Sequence, residues 1–129
     1  MAKLILIDGD PGMIAMGRRL LDGICDMPGR MPPVKSLEEA RNLVDLHKPD
    51  IILTCRRIGG NLYACCDLLD YAKSQNNRTC VILWSDWSKG GEHREGDKHR
   101  FNAVRDIRRP DEVQSIVAYY SGIAAIPRL

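Results

Sequence analysis

No apolar run in this chain of 129 residues approaches the length needed to cross a bilayer. Met1-Ala2-Lys3 leads straight into a short apolar segment rather than a secretory leader, so a cytoplasmic protein without membrane contact is expected. Charge of one sign is also lacking. The net charge of +2 is too small to draw nucleic acid or an anionic membrane, and neither is expected as a partner. Metal-ligand spacing is missing: there is no C-x-x-C, and His47, His93 and His99 are scattered. The five cysteines, an odd number, suit neither full internal pairing nor a zinc site, and cytosolic thiols are normally reduced. Phosphate loops are absent too. Gly59-Gly60 and Gly9-Asp10-Pro11-Gly12 carry neither a P-loop Lys-Ser/Thr nor a G-x-G-x-x-G, so both read as turns.

What remains is a composition with 44% hydrophobic and 28% charged residues, ordinary for one globular domain over 1–129. Its organising feature is Asp50-Ile51-Ile52-Leu53-Thr54-Cys55, preceded by Lys48-Pro49 and ended by Arg56-Arg57 and Gly59-Gly60. Lys3-Leu4-Ile5-Leu6-Ile7 and Cys80-Val81-Ile82-Leu83-Trp84 have the same character. None alternates polar with apolar residues, which predicts strands buried on both faces in a parallel sheet covered by helices. Sites in such sheets form at the carboxyl ends of the strands, and those ends carry Asp8, Cys55 and Ser85.

Between the strands the pattern is helical. Asp10 caps a first helix with Pro11 at its start, and Met13, Met16, Leu20, Leu21 and Ile24 form its face. Pro28, Gly29, Pro32 and Pro33 mark a loop, leaving Val34-Lys35 for a short edge strand. Ser36 and Glu39 make a capping box for a second helix that Pro49 closes. Leu62, Cys65, Cys66, Leu69 and Ala72 give a third helical face. The stretch from Ser88 to Arg100 holds three glycines and no apolar face, which predicts a poorly anchored helix or a mobile loop. A last strand over Ala103–Ile107 precedes a helix that starts at Pro110-Asp111-Glu112 and stops at Gly122. The βα unit thus repeats about five times, as in an open doubly wound sheet.

Four landmarks in order resemble the receiver domain of bacterial two-component response regulators, over essentially the whole chain. Leu4-Ile5-Leu6-Ile7-Asp8-Gly9-Asp10-Pro11 resembles the family's first strand and acidic turn. Lys48-Pro49-Asp50-Ile51-Ile52-Leu53 is similar to its third strand, Val81-Ile82-Leu83-Trp84-Ser85 to its fourth, and Arg109-Pro110 stands where the family has Lys-Pro, usually with a cis peptide. The resemblance implies a flavodoxin-like three-layer α/β/α sandwich with five parallel strands in the order 2-1-3-4-5.

The departures from that family fall on its phosphorylation pocket. The acidic pair that would hold Mg²⁺ reads Asp8-Gly9, with Asp10 as the only substitute nearby, and the phospho-accepting position is Cys55. A thiolate is a poor ligand for Mg²⁺, so binding of that ion is expected to be lost or weak, and no other cofactor is expected. Arg109 replaces the lysine and is expected to pair with Asp8. The switch aromatic falls at Asp106. Asp8, Gly9, Asp10, Cys55, Ser85 and Arg109 would then form a degenerate pocket with no catalytic residue. The chain reads as a pseudo-receiver, not an enzyme, whose partner is a sensor kinase, an output protein or a second copy. In the family such partners dock on the fourth helix, fifth strand and fifth helix, here Asp106, Arg108, Glu112 and Tyr119. Cys55 keeps three readings: core filler, a redox-sensing thiol helped by Arg56 and Arg57, or a non-standard phospho-acceptor.

Overall fold

The computed structural model describes residues 1–85 and 100–124. In order these form β1 (Leu4–Ile7), α1 (Pro11–Leu21), α2 (Leu37–His47), β2 (Ile51–Thr54), α3 (Ala64–Gln75), β3 (Cys80–Ser85), β4 (Ala103–Asp106) and α4 (Pro110–Ala124). The expected helix or loop over 88–100 lies, except for Arg100, outside the described residues, as does Trp87, which the sequence offers as an exposed contact for a partner.

The strands form one parallel sheet in the order β1-β2-β3-β4, with Leu6 opposite Leu53 and Leu53 opposite Ile82. Every residue of β1, β2 and β3 is buried, as the unbroken apolar runs predict for a sheet covered on both faces. The helices pair off, α1 beside α4 and α2 beside α3. Gln114 Nε2 donates to the Leu20 carbonyl at 2.9 Å across the first pair. The Tyr71 hydroxyl donates to Asp45 Oδ1 at 2.5 Å across the second, with the Arg41 guanidinium 5.2 Å from the Tyr71 ring centre. Gly17 lies against Leu6, where an added Cβ would come within 2.8 Å of the Leu6 side chain. The glycine that weakens α1 locally therefore lets the helix approach the sheet.

The short strand expected at Val34-Lys35 does not form, so the sheet has four strands among the described residues rather than five. The order 2-1-3-4-5 requires that missing member. Proline explains the difference: Pro28, Pro32 and Pro33 have no N–H to donate to a ladder. The segment instead touches the outer edge of β1 at separate points. Leu4 N donates to the Asp26 carbonyl at 2.8 Å, Leu6 N to Met31 Sδ at 3.4 Å, and Val34 N to the Asp8 carbonyl at 2.8 Å.

Caps and stops follow the sequence with two corrections. Asp10 Oδ1 accepts Gly12 N at 2.8 Å, and Ser36 Oγ accepts Glu39 N at 3.1 Å. The returning carboxylate of the second cap takes Lys35 N at 2.7 Å. Gly122 does not stop the last helix, which continues to Ala124; a single exposed glycine costs a helix only about 1 kcal/mol. The last strand ends at Asp106 rather than Ile107. No cis peptide occurs among the described residues, so the Arg109-Pro110 bond is trans. None of the described helices is long and apolar enough to cross a membrane.

Candidate functional site

The carboxyl ends of the strands open onto a cleft of about 450 Å³. Asp8, Gly9, Asp10, Cys55 and Ser85 all line it, joined by Lys35, Arg56, Arg57 and Trp84. The topology makes this meeting inevitable, because parallel strands bring the residue after each carboxyl end to the same edge.

The two carboxylates are held by their own turn. Asp8 Oδ1 accepts Asp10 N at 2.8 Å, and Asp10 Oδ1 in turn caps α1. Burial pushes the Asp8 carboxyl above the usual carboxylate range; the N–H from Asp10 opposes this, and the Asp10 carboxylate adds to it. Cys55 sits at the expected acceptor position, immediately after β2, with its amide bonded to the Ile7 carbonyl at 2.9 Å. Its Sγ donates to the Arg57 carbonyl at 3.1 Å. Among the described residues no group of three or more His, Cys, Asp or Glu is placed to hold a metal ion.

Ser85 and Trp84 end β3 with 6% and 4% of their surface exposed. Neither Ser85 Oγ nor Trp84 Nε1 has a hydrogen-bond partner among the described residues. A buried donor left in this state costs about 1–3 kcal/mol.

Lys35 went unnoticed in the sequence because it stands in no motif. Its backbone is fixed from both sides, by Glu39 Oε2 on its N–H and by Gly59 against its carbonyl. Gly59 has φ +61°, and a Cβ there would overlap the Lys35 oxygen, so this position needs glycine on both counts. From that base Lys35 Nζ reaches the Gly9 carbonyl at 3.3 Å. The useful sequence signal was the capping box, which fixes where the residue before Ser36 must lie.

Two expectations fail here. Arg109 does not pair with Asp8; its Nη1 contacts Glu112 Oε1 at 3.3 Å, and it lines a separate groove beside β4 and α4. A partner three residues away in the same helix start is reached without crossing the cleft, while Asp8 is engaged in its own turn. Asp106 is not on the surface either. It is 2% exposed, with its carboxylate taken by Arg108 through the backbone N–H at 3.0 Å and through Nη2 at 2.6 Å. A carboxylate buried at a strand end needs such charge-assisted donors. Arg108 and Tyr119 are exposed, and Glu112 partly so, on that side of the molecule.

No family model matches the chain, and no curated protein does so either. Solved structures do. The receiver domain of a Francisella response regulator superposes with a TM-score of 0.72 at 19% identity, over 96% of this chain and 99% of that one. The signal receiver domain of a putative Luxo repressor protein from Vibrio parahaemolyticus gives 0.74 at 14% identity, over 95% and 92%. The receiver domain of a sensor histidine kinase from Pseudomonas aeruginosa, with a magnesium ion coordinated in its active-site cleft, gives 0.68 at 16% identity, over 94% and 98%. At such identities the likeness is one of architecture: the chain has the CheY-like receiver fold.

Proposed function

We propose that this chain is a receiver-like signalling module that acts by protein–protein contact, without phosphorylation of an aspartate. The observation that carries the reading is the residue after β2. A receiver needs a carboxylate there, and Cys55 offers a thiol turned to the Arg57 carbonyl. The neighbouring donors support the same conclusion for Mg²⁺. Asp8 and Asp10 each give one carboxylate oxygen to a backbone amide, and neither Gly9 nor Cys55 adds a hard oxygen ligand from its side chain. Without a divalent ion, the cleft lacks the metal clamp that holds an incoming phosphoryl group in line for transfer. Incubation with acetyl phosphate and Mg²⁺, read by intact mass, tests this. No phosphoryl adduct is expected, and an adduct on Cys55 or Asp10 overturns the proposal. A protein partner would meet the exposed side chains of Arg108, Glu112 and Tyr119, and the module has no catalytic role.

A second reading, thiol sensing through Cys55, is favoured by one contrast. Cys25, Cys65 and Cys80 are buried, and of the two partly exposed thiols, Cys55 and Cys66, it is Cys55 that lines the cleft with Arg56 and Arg57. Mild peroxide followed by peptide mapping must modify Cys55 ahead of the other four cysteines for this reading to stand.

A further inference from the structure

We propose that the pocket between the carboxyl ends of α2 and α3 is a binding site for a small apolar α-amino acid. It lies at the amino ends of β2 and β3, away from the cleft, and does not depend on whether that cleft takes a phosphoryl group.

The pocket holds about 430 Å³, within the range of small-molecule sites. Val44, Pro49 and Ala72 give it an apolar lining, and all three are buried. Two opposite charges, Asp45 and Lys48, line it as well, and neither forms an ion pair among the described residues. The Tyr71 hydroxyl on Oδ1 holds Asp45 over the seam between the two helices, and Oδ2 has no hydrogen bond among the described residues. Lys48 ends α2 with its backbone fixed, its N–H on the Val44 carbonyl at 2.8 Å.

Thr79 supplies the observation that points to a ligand. It is 4% exposed, and its hydroxyl has no hydrogen-bond partner among the described residues. Unlike Ser85 Oγ, that hydroxyl is not fully covered, and the residue lines both this pocket and an adjoining one of about 460 Å³. Its backbone is held from both sides: Thr79 N donates to the Asn76 carbonyl at 3.1 Å, and Lys73 Nζ bonds the Thr79 carbonyl. The cohesion at this end of the sheet thus keeps an unmatched hydroxyl in a fixed place, where a bound group would satisfy it.

Each simpler ligand leaves something unmatched. An inorganic anion meets Asp45, a bare cation meets Lys48, and a hydrocarbon covers the Thr79 hydroxyl without giving it a partner. An α-amino acid brings an ammonium for Asp45, a carboxylate for Lys48 and Thr79, and a side chain for the apolar lining.

The test follows the full chain by ¹H–¹⁵N NMR during separate titrations with L-leucine and L-phenylalanine. Saturable shifts of the Val44, Lys48, Ala72 and Thr79 amides are expected with one or both. Glycine, without an apolar side chain, should leave these signals in place. Two analogues of leucine, 4-methylpentanoate without the ammonium and 3-methylbutylamine without the carboxylate, should each bind about tenfold more weakly, the effect of one charge-assisted hydrogen bond. Lys48→Asn should weaken leucine about tenfold and leave 3-methylbutylamine unchanged, and Thr79→Val should weaken leucine about threefold. Asparagine tolerates the left-handed backbone at position 48, and the Thr79 hydroxyl bonds nothing among the described residues, so both variants keep the fold, which their spectra report directly. The proposal is overturned if neither amino acid saturates, if glycine or either analogue matches leucine, or if both variants bind leucine as the parent does.

Discussion

The two ends of the same four strands are built differently. At the amino end, polar groups find partners in one another. Asp50 Oδ2 accepts Lys3 N at 2.9 Å, and the Asp50 carbonyl accepts Cys80 N at 2.9 Å. Asn102 Oδ1 takes both Val81 N, at 2.8 Å, and Lys73 Nζ, at 2.9 Å, and Lys73 also bonds the Thr79 carbonyl. The Tyr120 hydroxyl closes the set on the Asn102 carbonyl at 2.8 Å. At the carboxyl end, by contrast, Ser85 and Trp84 have donors with no partner among the described residues, and Asp8 holds a carboxyl that burial disfavours as an anion. One end is organised for cohesion. The other tolerates unmet polar groups, as binding sites do.

If that contrast is right, substitutions at the amino end should cost the most. Asn102→Ala removes two side-chain hydrogen bonds and leaves Val81 N without its acceptor, an expected loss of about 2–3 kcal/mol in urea unfolding. A loss no larger than that of a surface substitution would break the comparison. Gly59→Ala comes next, at about 1–2 kcal/mol for the left-handed backbone. Because it also displaces Lys35, the NMR signals around the cleft should move with it.

Asp8→Asn sharpens the contrast through pH. The folded chain holds the Asp8 proton more tightly than the unfolded chain, so stability falls as pH rises from the ordinary carboxylate range through the raised folded value. The asparagine variant should lose that slope while keeping the bond to Asp10 N, as urea midpoints at several pH values would show. Parallel curves for the two proteins would count against it. The smallest change belongs to Ser85→Ala: deleting a hydroxyl that has no partner among the described residues should leave stability within about 0.5 kcal/mol or raise it. Thiol labelling adds a kinetic check, since burial pushes the Cys25 thiol up to about 11 and should leave it slow beside Cys55 at neutral pH.

The sequence carried the strands well because Leu4–Ile7, Ile51–Thr54 and Cys80–Ser85 are short and apolar without alternation, a pattern that suits a doubly covered sheet. It also carried the residues at the strand ends, since Asp8, Cys55 and Ser85 follow from register alone. Side-chain partnerships were less legible. Arg109 found a local glutamate rather than Asp8, and Asp106 turned inward with Arg108, because each contact depends on distances that spacing does not encode. Val34-Lys35 misled for another reason: two hydrogen-bonding residues after a pair of prolines are too few to hold a ladder.

The sulfur of Met31 against the Leu6 amide has a consequence for how copies of the molecule behave when crowded. A bare outer strand invites a neighbour's chain to continue the pleat, the first step toward fibrils. Here a thioether occupies the middle donor while a kinked, imino-acid-rich cover lies alongside, so β1 presents no ready template and the domain has a built-in guard against that kind of growth.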